Sequence, residues 1–295
     1  MRDFGRVVTA MVTPMGPGLE VDYSKAGELA RRLAGSGSDA IVVFGTTGES
    51  PTLGADEKIR LLETVLEAVG DRVTVIAGTG SNCTASSVEL SRRAAAAGAH
   101  GLMAVVPYYN KPPQEGLYRH FKAVVEATEL PLMIYNVPGR TGTNLLPETL
   151  LRLAELPNVV AVKEASGNLD QVSAIAAGAP RGFRIYSGDD SLTLPILAVG
   201  GHGVVSVASH VAGREIAEMI SAHVSGEAAR AAELHARLMP LFKVLFVTTN
   251  PIPVKAALRL AGFDTGGLRP PLVEAGPAEV EAIRRVMGDL GLLAA

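Results

Sequence analysis

Residues 158–167 read NVVAVKEASG, and the rest of the chain is understood from this stretch outward. Val159, Val160, Ala161 and Val162 make a short, mostly β-branched apolar run, the pattern of a buried strand. Lys163 stands at its C-terminal end. Lysine is rarely buried without a partner or a use. An ammonium held in a low-dielectric site has its pKa pushed down, which frees the neutral amine as a nucleophile. That is the chemistry of a Schiff-base lysine. A strand-end lysine can also lay its stem on apolar surface and keep its head in water. Taken alone, Lys163 leaves both readings open.

Moving outward, further short apolar runs occur at 7–12, 40–44, 73–77, 102–106, 131–135, 184–187 and 203–207. Together with the Lys163 strand they number eight, and amphipathic segments separate them. Leu29 and Leu33 mark one helix, and Ile59, Leu62, Leu66 and Val69 a second. Thr84 is expected to cap a third, which ends at Gly98. Others are expected at 114–128 and from about Pro147. Asn168 is expected to cap a helix ending at Gly178, with Gln171 at the capping-box position.

Eight strands alternating with helices have two standard solutions, a closed (β/α)8 barrel or an open doubly wound sheet. The regular spacing and the absence of a GxGxxG turn after the first strand favour the (β/α)8 TIM barrel. Right-handed crossovers then bring the loops GTTGES (45–50), PYYNKP (107–112), YNVPGRTG (135–142), KEASGN (163–168) and SGDD (187–190) to one face. Polar residues at the C-terminal ends of barrel strands read as catalytic. The expected organisation is a barrel over 1–224 and an all-helical domain over 225–295. In the latter, Leu234, Leu238, Leu241 and Leu245 form a stripe that Pro240 should kink. Helices are also expected after Pro253 and from about Pro277, the last with Val280, Ile283 and Met287 on one face.

Composition narrows the function. At 295 residues and 47% hydrophobic content, the chain can bury one large core. Its net charge of −3, without basic clusters, gives no reason to expect nucleic acid as a partner. A single cysteine, Cys83, forms no internal disulfide and fits a reducing cytoplasm. The apolar run near the N-terminus is short for a signal peptide, and no stretch reaches the roughly 20 apolar residues of a membrane span. Asp189 and Asp190 suggest a metal pair at first sight, but no cluster of His or Cys supports one.

GTTGES, PYYNKPPQEGLY, YNVPGRTG, KEASGNL, SGDD and GGHGVVSV occur in that order, within a span from Thr13 to the NPIPVK beginning at Asn250. In this the chain resembles the pyruvate-dependent class I aldolases of the dihydrodipicolinate synthase and N-acetylneuraminate lyase superfamily, and most closely the dihydrodipicolinate synthases. The resemblance implies a Schiff-base lysine at Lys163 and a proton-passing phenol at Tyr135. It implies a relay through Thr46 and Tyr109, the latter reaching in from a neighbouring subunit. Thr47 would hold a carboxylate, Arg140 would fork the carboxylate of an aldehyde substrate, and Gly188 and Val205 would line the site with backbone groups.

The implied substrates are pyruvate and L-aspartate-4-semialdehyde, without metal or cofactor, in a homotetramer arranged as a dimer of dimers. Positions matching the family's lysine-feedback site are partly kept, at Ser50, Asn82 and Tyr108. They depart at Ser86 and Lys58, which should weaken a site for a cationic effector. The rival enzyme is a sugar-acid aldolase of the 2-keto-3-deoxygluconate or N-acetylneuraminate lyase type, which shares the lysine and tyrosine and lacks the arginine. A silent barrel that only binds a 2-oxo acid is the rival from another class.

Overall fold

A computed structural model describes residues 3–294. Eight parallel strands close on themselves in chain order: β1 (Val7–Ala10), β2 (Ala40–Val43), β3 (Thr74–Gly78), β4 (Gly101–Val105), β5 (Leu132–Asn136), β6 (Val159–Glu164), β7 (Arg184–Ser187) and β8 (Gly203–Ser206). The ring closes where β1 meets β8, with Val7 opposite Val204 and Val8 opposite Val205. Both faces of nearly every strand are buried, which explains why the strands read as continuous apolar runs rather than as alternating ones.

The side-chain period of two still sorts residues by direction. Val8, Val42, Ile76, Met133, Ala161 and Tyr186 belong to the cluster inside the barrel. Their sequence neighbours Val7, Ile41, Val75, Ile134, Val162 and Ile185 pack outward against the helices. Register matters most at β5 and β6. Tyr135 lies opposite Lys163, and Asn136 lies opposite Glu164. The first pair therefore shares one face and the second pair the other.

The first strands alternate with α1 (Tyr23–Ala34), α2 (Ala55–Val69), α3 (Thr84–Ala96) and α4 (Gln114–Val125). After β5 come a four-residue helix, α5 (Pro138–Thr141), and then α6 (Pro147–Ala154). Next are α7 (Leu169–Gly178), α8 (Thr193–Ala198) and α9 (Ser209–Val224). Asp22 caps α1 by accepting from the Lys25 N–H at 2.9 Å. In α1, Leu29 and Leu33 are fully buried, each contributing about 1.5–3 kcal/mol of transfer free energy. The chain then continues as α10 (Ala228–Val244), α11 (Ile252–Leu260) and α12 (Pro277–Asp289). Here α10 packs on α9 and α12, and α11 packs on α12 and α9.

The structure corrects several local expectations. Cys83, not Thr84, occupies the cap of α3; Thr84 is the first helical residue, and its hydroxyl meets His120 Nδ1 at 2.9 Å. Asn168 does cap α7, accepting from the N–H groups of Asp170 and Gln171. Gln171 does not complete a capping box, because its amide is drawn to Glu164 and Asn144. Pro240 sits within a helix that runs on through it. Pro240 and Ala236, whose carbonyl the proline leaves without a donor, are both exposed, so water can satisfy that carbonyl. A departure from helical angles falls instead at Ala212 in α9. The expected domain ends at 1 and 295 lie outside the described residues.

Candidate active site

Lys163 ends its run in β6 as a buried side chain, 5% exposed. Its Nζ lies 4.1 Å from the centre of the Tyr135 ring, the register partner on β5. Burial pushes the Lys163 ammonium down to about 8. The negative charges of Asp189 and Asp190 oppose that shift, and Arg140 adds to it. Burial pushes the Tyr135 phenol up to about 12, against the pull of the Arg140 charge and a hydrogen bond with Thr46. At pH 8 an ordinary lysine would be neutral in only about one molecule in 300. Lys163 would be neutral in about half.

The outward partners of this pair form a second buried network. Glu164 accepts from Asn136 Nδ2 at 3.1 Å, from Gln171 Nε2 at 3.1 Å and from the Ser166 N–H at 2.7 Å. Asn136 also donates to Asn144 Oδ1 and accepts from the Leu145 N–H. These bonds tie β5, β6, α7 and the 142–146 loop together behind the reactive face, and so fix the register that sets Tyr135 beside Lys163.

A cavity of about 590 Å³ opens at this end of the barrel. Thr46, Tyr135, Arg140, Met103 and Val105 are among its lining residues. Lys163 is not on the wall itself; its Nζ lies against the ring of Tyr135, which is. Thr47 is buried in the turn after β2, and its hydroxyl accepts a hydrogen bond from Asn250 Nδ2 at 2.9 Å. Arg140 lies on the short α5 with its side chain exposed. Gly188 gives its N–H to Glu164 O at 2.8 Å, and a Cβ there would stand 2.6 Å from Ala165 Cβ, so no larger residue fits. Val205 is fully buried inside the barrel.

Tyr109 is different. It is 88% exposed and holds φ of +75°, a left-handed backbone that costs a tyrosine strain. The structure thus gathers Lys163, Tyr135, Thr46, Thr47, Arg140, Gly188 and Val205 at one end of the barrel, and leaves Tyr109 pointing into solvent. Of the two acids considered as a metal pair, Asp190 is spent on the turn after β8, accepting from Ser206 Oγ and from the Val207 and Ala208 N–H groups. Burial raises the carboxyl of Asp189 against the pull of Lys163.

Sequence reasoning missed the Glu164 network and the residues that brace the turn after β2: Glu49, Asn250 and Lys255. Glu49 and Lys255 are a buried ion pair at 2.7 Å. The signals were present, since GTTGES contains the glutamate and NPIPVK the asparagine and lysine. Nothing in either string says that residues about 200 positions apart in the chain meet.

A closed parallel barrel with a buried, low-pKa lysine beside a tyrosine at its strand ends is the architecture of an amine-nucleophile aldolase. Residues 3–289 match the family model described as the dihydrodipicolinate synthetase family, and the chain belongs to that family. It is 60% identical over 290 residues to the 4-hydroxy-tetrahydrodipicolinate synthase of Heliobacterium modesticaldum, covering 98% of this chain and 97% of the relative. It is 58% identical over 294 residues to the enzyme of that name from Thermosynechococcus vestitus, covering 99% of both. The crystal structure of the dihydrodipicolinate synthase from Cyanidioschyzon merolae with lysine bound superposes with a TM-score of 0.97. It is 51% identical to this chain and covers 98% of it and 99% of that chain.

Proposed function

We propose that this chain condenses pyruvate with L-aspartate-4-semialdehyde to give 4-hydroxy-tetrahydrodipicolinate. The observation that carries the reading is the buried Lys163 amine 4.1 Å from the Tyr135 ring. The neutral amine attacks the ketone carbon of pyruvate, and the ketone oxygen departs as water with two protons, leaving a protonated imine. That cation draws electrons from the neighbouring methyl group, which loses a proton and becomes an enamine. The enamine carbon then bonds to the aldehyde carbon, whose oxygen takes a proton and becomes the hydroxyl of the product, while the nitrogen lone pair re-forms the protonated imine. The amino group of the second substrate displaces Lys163 as the ring closes, returning the free amine.

In this reading Tyr135 passes protons to and from the carbinolamine, with Thr46 as the next member of the relay. Thr47 holds the carboxylate of pyruvate, Arg140 forks the carboxylate of the aldehyde, and Gly188 and Val205 line the site. The exposed, strained Tyr109 completes the relay of a neighbouring subunit, in a homotetramer built as a dimer of dimers. Lys58, Ser50, Ser86 and Tyr108 line another part of the same cavity. A cation at Lys58 makes that region a poor site for free lysine, so titration with lysine should inhibit only above about 1 mM, the range of weak binding. Among the described residues no helix is long and apolar enough to cross a membrane, and the cytoplasm is the proposed compartment.

The deciding experiment is borohydride reduction in the presence of pyruvate, followed by peptide mass analysis. A reduced pyruvyl adduct on Lys163 and faster turnover of aspartate semialdehyde than of sugar acids are expected. An unmodified Lys163 with activity destroyed at another residue would overturn the reading. Faster turnover of sugar acids would transfer it to the rival aldolase.

A further inference from the structure

The turn after β2 is held from the far end of the chain. Thr47 is 3% exposed and Asn250 is 6% exposed, so water is largely excluded from both. Between them runs the 2.9 Å bond from Asn250 Nδ2 to Thr47 Oγ1. Two residues on, Glu49 adopts φ of +58°, which a glutamate holds only when its surroundings impose it. Its carboxylate receives the Arg269 N–H at 3.0 Å and the Lys255 ammonium at 2.7 Å. Lys255 is fixed in turn by donating to Gly267 O at 2.7 Å. From the barrel side, the Thr13 hydroxyl donates to Gly48 O at 2.7 Å. Gly48 itself lies so close to the residue that follows β2 that a Cβ would stand 2.9 Å from Phe44 Cα.

The direction of the Asn250 bond matters. An amide NH2 has hydrogens to give and no lone pair to offer, so Thr47 Oγ1 is the acceptor. A hydroxyl that accepts at its oxygen keeps its own hydrogen for another partner. We propose that Asn250 is a positioning residue for the reaction: it holds the Thr47 oxygen so that the hydroxyl hydrogen is presented to the carboxylate of the 2-oxo acid. The Glu49–Lys255 ion pair keeps the turn that carries Thr47 in its strained form. The region after the barrel is thereby part of the binding machinery. This inference rests on the reading of Thr47 as a carboxylate holder.

The test is a double-mutant cycle with Thr47→Val and Asn250→Ala, read as the pyruvate concentration that half-saturates borohydride-trappable imine and as kcat. Thr47→Val should raise the pyruvate requirement. Asn250→Ala should raise it about three- to tenfold, with kcat at saturation changed less than about twofold, as for one hydrogen bond lost from binding. In the Thr47→Val background, Asn250→Ala should have almost no further effect, because its action runs through that hydroxyl. Asn250→Asp keeps the shape but only accepts, so it takes the Thr47 hydrogen and adds a like charge. It should raise the pyruvate requirement by about thirtyfold or more, and it also serves if the alanine variant fails to fold.

If Thr47→Val raises the requirement while both Asn250 variants leave it unchanged, the positioning role is overturned and the reading of Thr47 stands. Full additivity in the cycle overturns it too, since a general structural effect adds. If Thr47→Val changes nothing, the reading of Thr47 fails and the inference falls with it.

Discussion

Two buried lysines, Lys163 at the end of β6 and Lys255 in α11, stand in contrasting company. Lys163 is 5% exposed and Lys255 is 3% exposed. Burial lowers the pKa of both. Lys255 has its countercharge at contact, Glu49 at 2.7 Å, and a carbonyl to donate to. Lys163 faces an aromatic ring and feels Asp189 and Asp190 only through their fields. Desolvation alone therefore does not make a nucleophile. Where the lost hydration is replaced by a fixed partner, the lysine becomes a brace. Where it is not, as at Lys163, a large share of the amine is neutral near pH 8 and the fold bears the cost. With a folded pKa of about 8 against 10.5 unfolded, Lys163 costs about 3 kcal/mol of stability below pH 8, and that cost is relieved as pH rises from about 8 to 10.5.

The contrast breaks most sharply on replacement by methionine, which keeps the length of each side chain and removes the charge. Lys163→Met should lower turnover by about 10⁴-fold or more, the scale of losing a covalent nucleophile. Urea unfolding of the same variant, at fixed protein concentration, should show unchanged or increased stability. A less stable Lys163→Met protein would mean that its ammonium has a partner after all.

Lys255→Met should do the opposite. It leaves the Glu49 carboxylate buried without a countercharge, at about 3–5 kcal/mol in the same unfolding assay. Adding Glu49→Gln should recover much of that loss, and trapping at saturating pyruvate should still mark Lys163. If the single variant is as stable as the parent, the ion pair braces nothing.

Arg140 sharpens the division between the two substrates. Its side chain is exposed in the free chain, so Arg140→Ala should lower kcat/KM for the aldehyde by about 10- to 100-fold, toward the lower range for a charge-assisted pair. Imine formation with pyruvate should persist. Arg140→Lys should restore only part, because an ammonium cannot form the planar fork. Steady-state kinetics with both substrates varied decides this, and an unchanged aldehyde constant would remove Arg140 from the site.

The smallest effect concerns the acid limb of imine formation, which should rise toward a plateau with a midpoint near pH 8. The Asp189 carboxylate raises the Lys163 pKa, so Asp189→Asn should move that midpoint to lower pH. Trapping rates from pH 6 to 10 measure it. A shift to higher pH would show that Asp189 acts otherwise than through its charge.

These contrasts also mark what a sequence discloses. The placement of Lys163 beside Tyr135 was legible because each lies near the end of a strand and adjoins a loop of distinctive composition. The barrel was legible because eight runs share one spacing. Gln171 misled because a residue three after a cap has a local use, and the structure gives it a tertiary one at Glu164. Pro240 misled because the effect of a helix proline depends on whether its freed carbonyl meets water. Glu49 and Lys255 gave no local sign at all. Each looks like a surface charge until the fold brings them together, and no periodicity encodes a meeting of that kind.

The bond from Asn250 to Thr47 joins residues 203 positions apart. A ribosome adding roughly 5–20 residues per second leaves that threonine waiting about 10–40 s for its partner. Lys163 is made 116 residues after Thr47, so for the last 87 residues of that interval the nascent chain contains Lys163 while the turn after β2 still lacks the bonds from Asn250 and Lys255. A product stalled or truncated before that point therefore holds Lys163 without the bonds that the last quarter of the chain brings to the turn after β2.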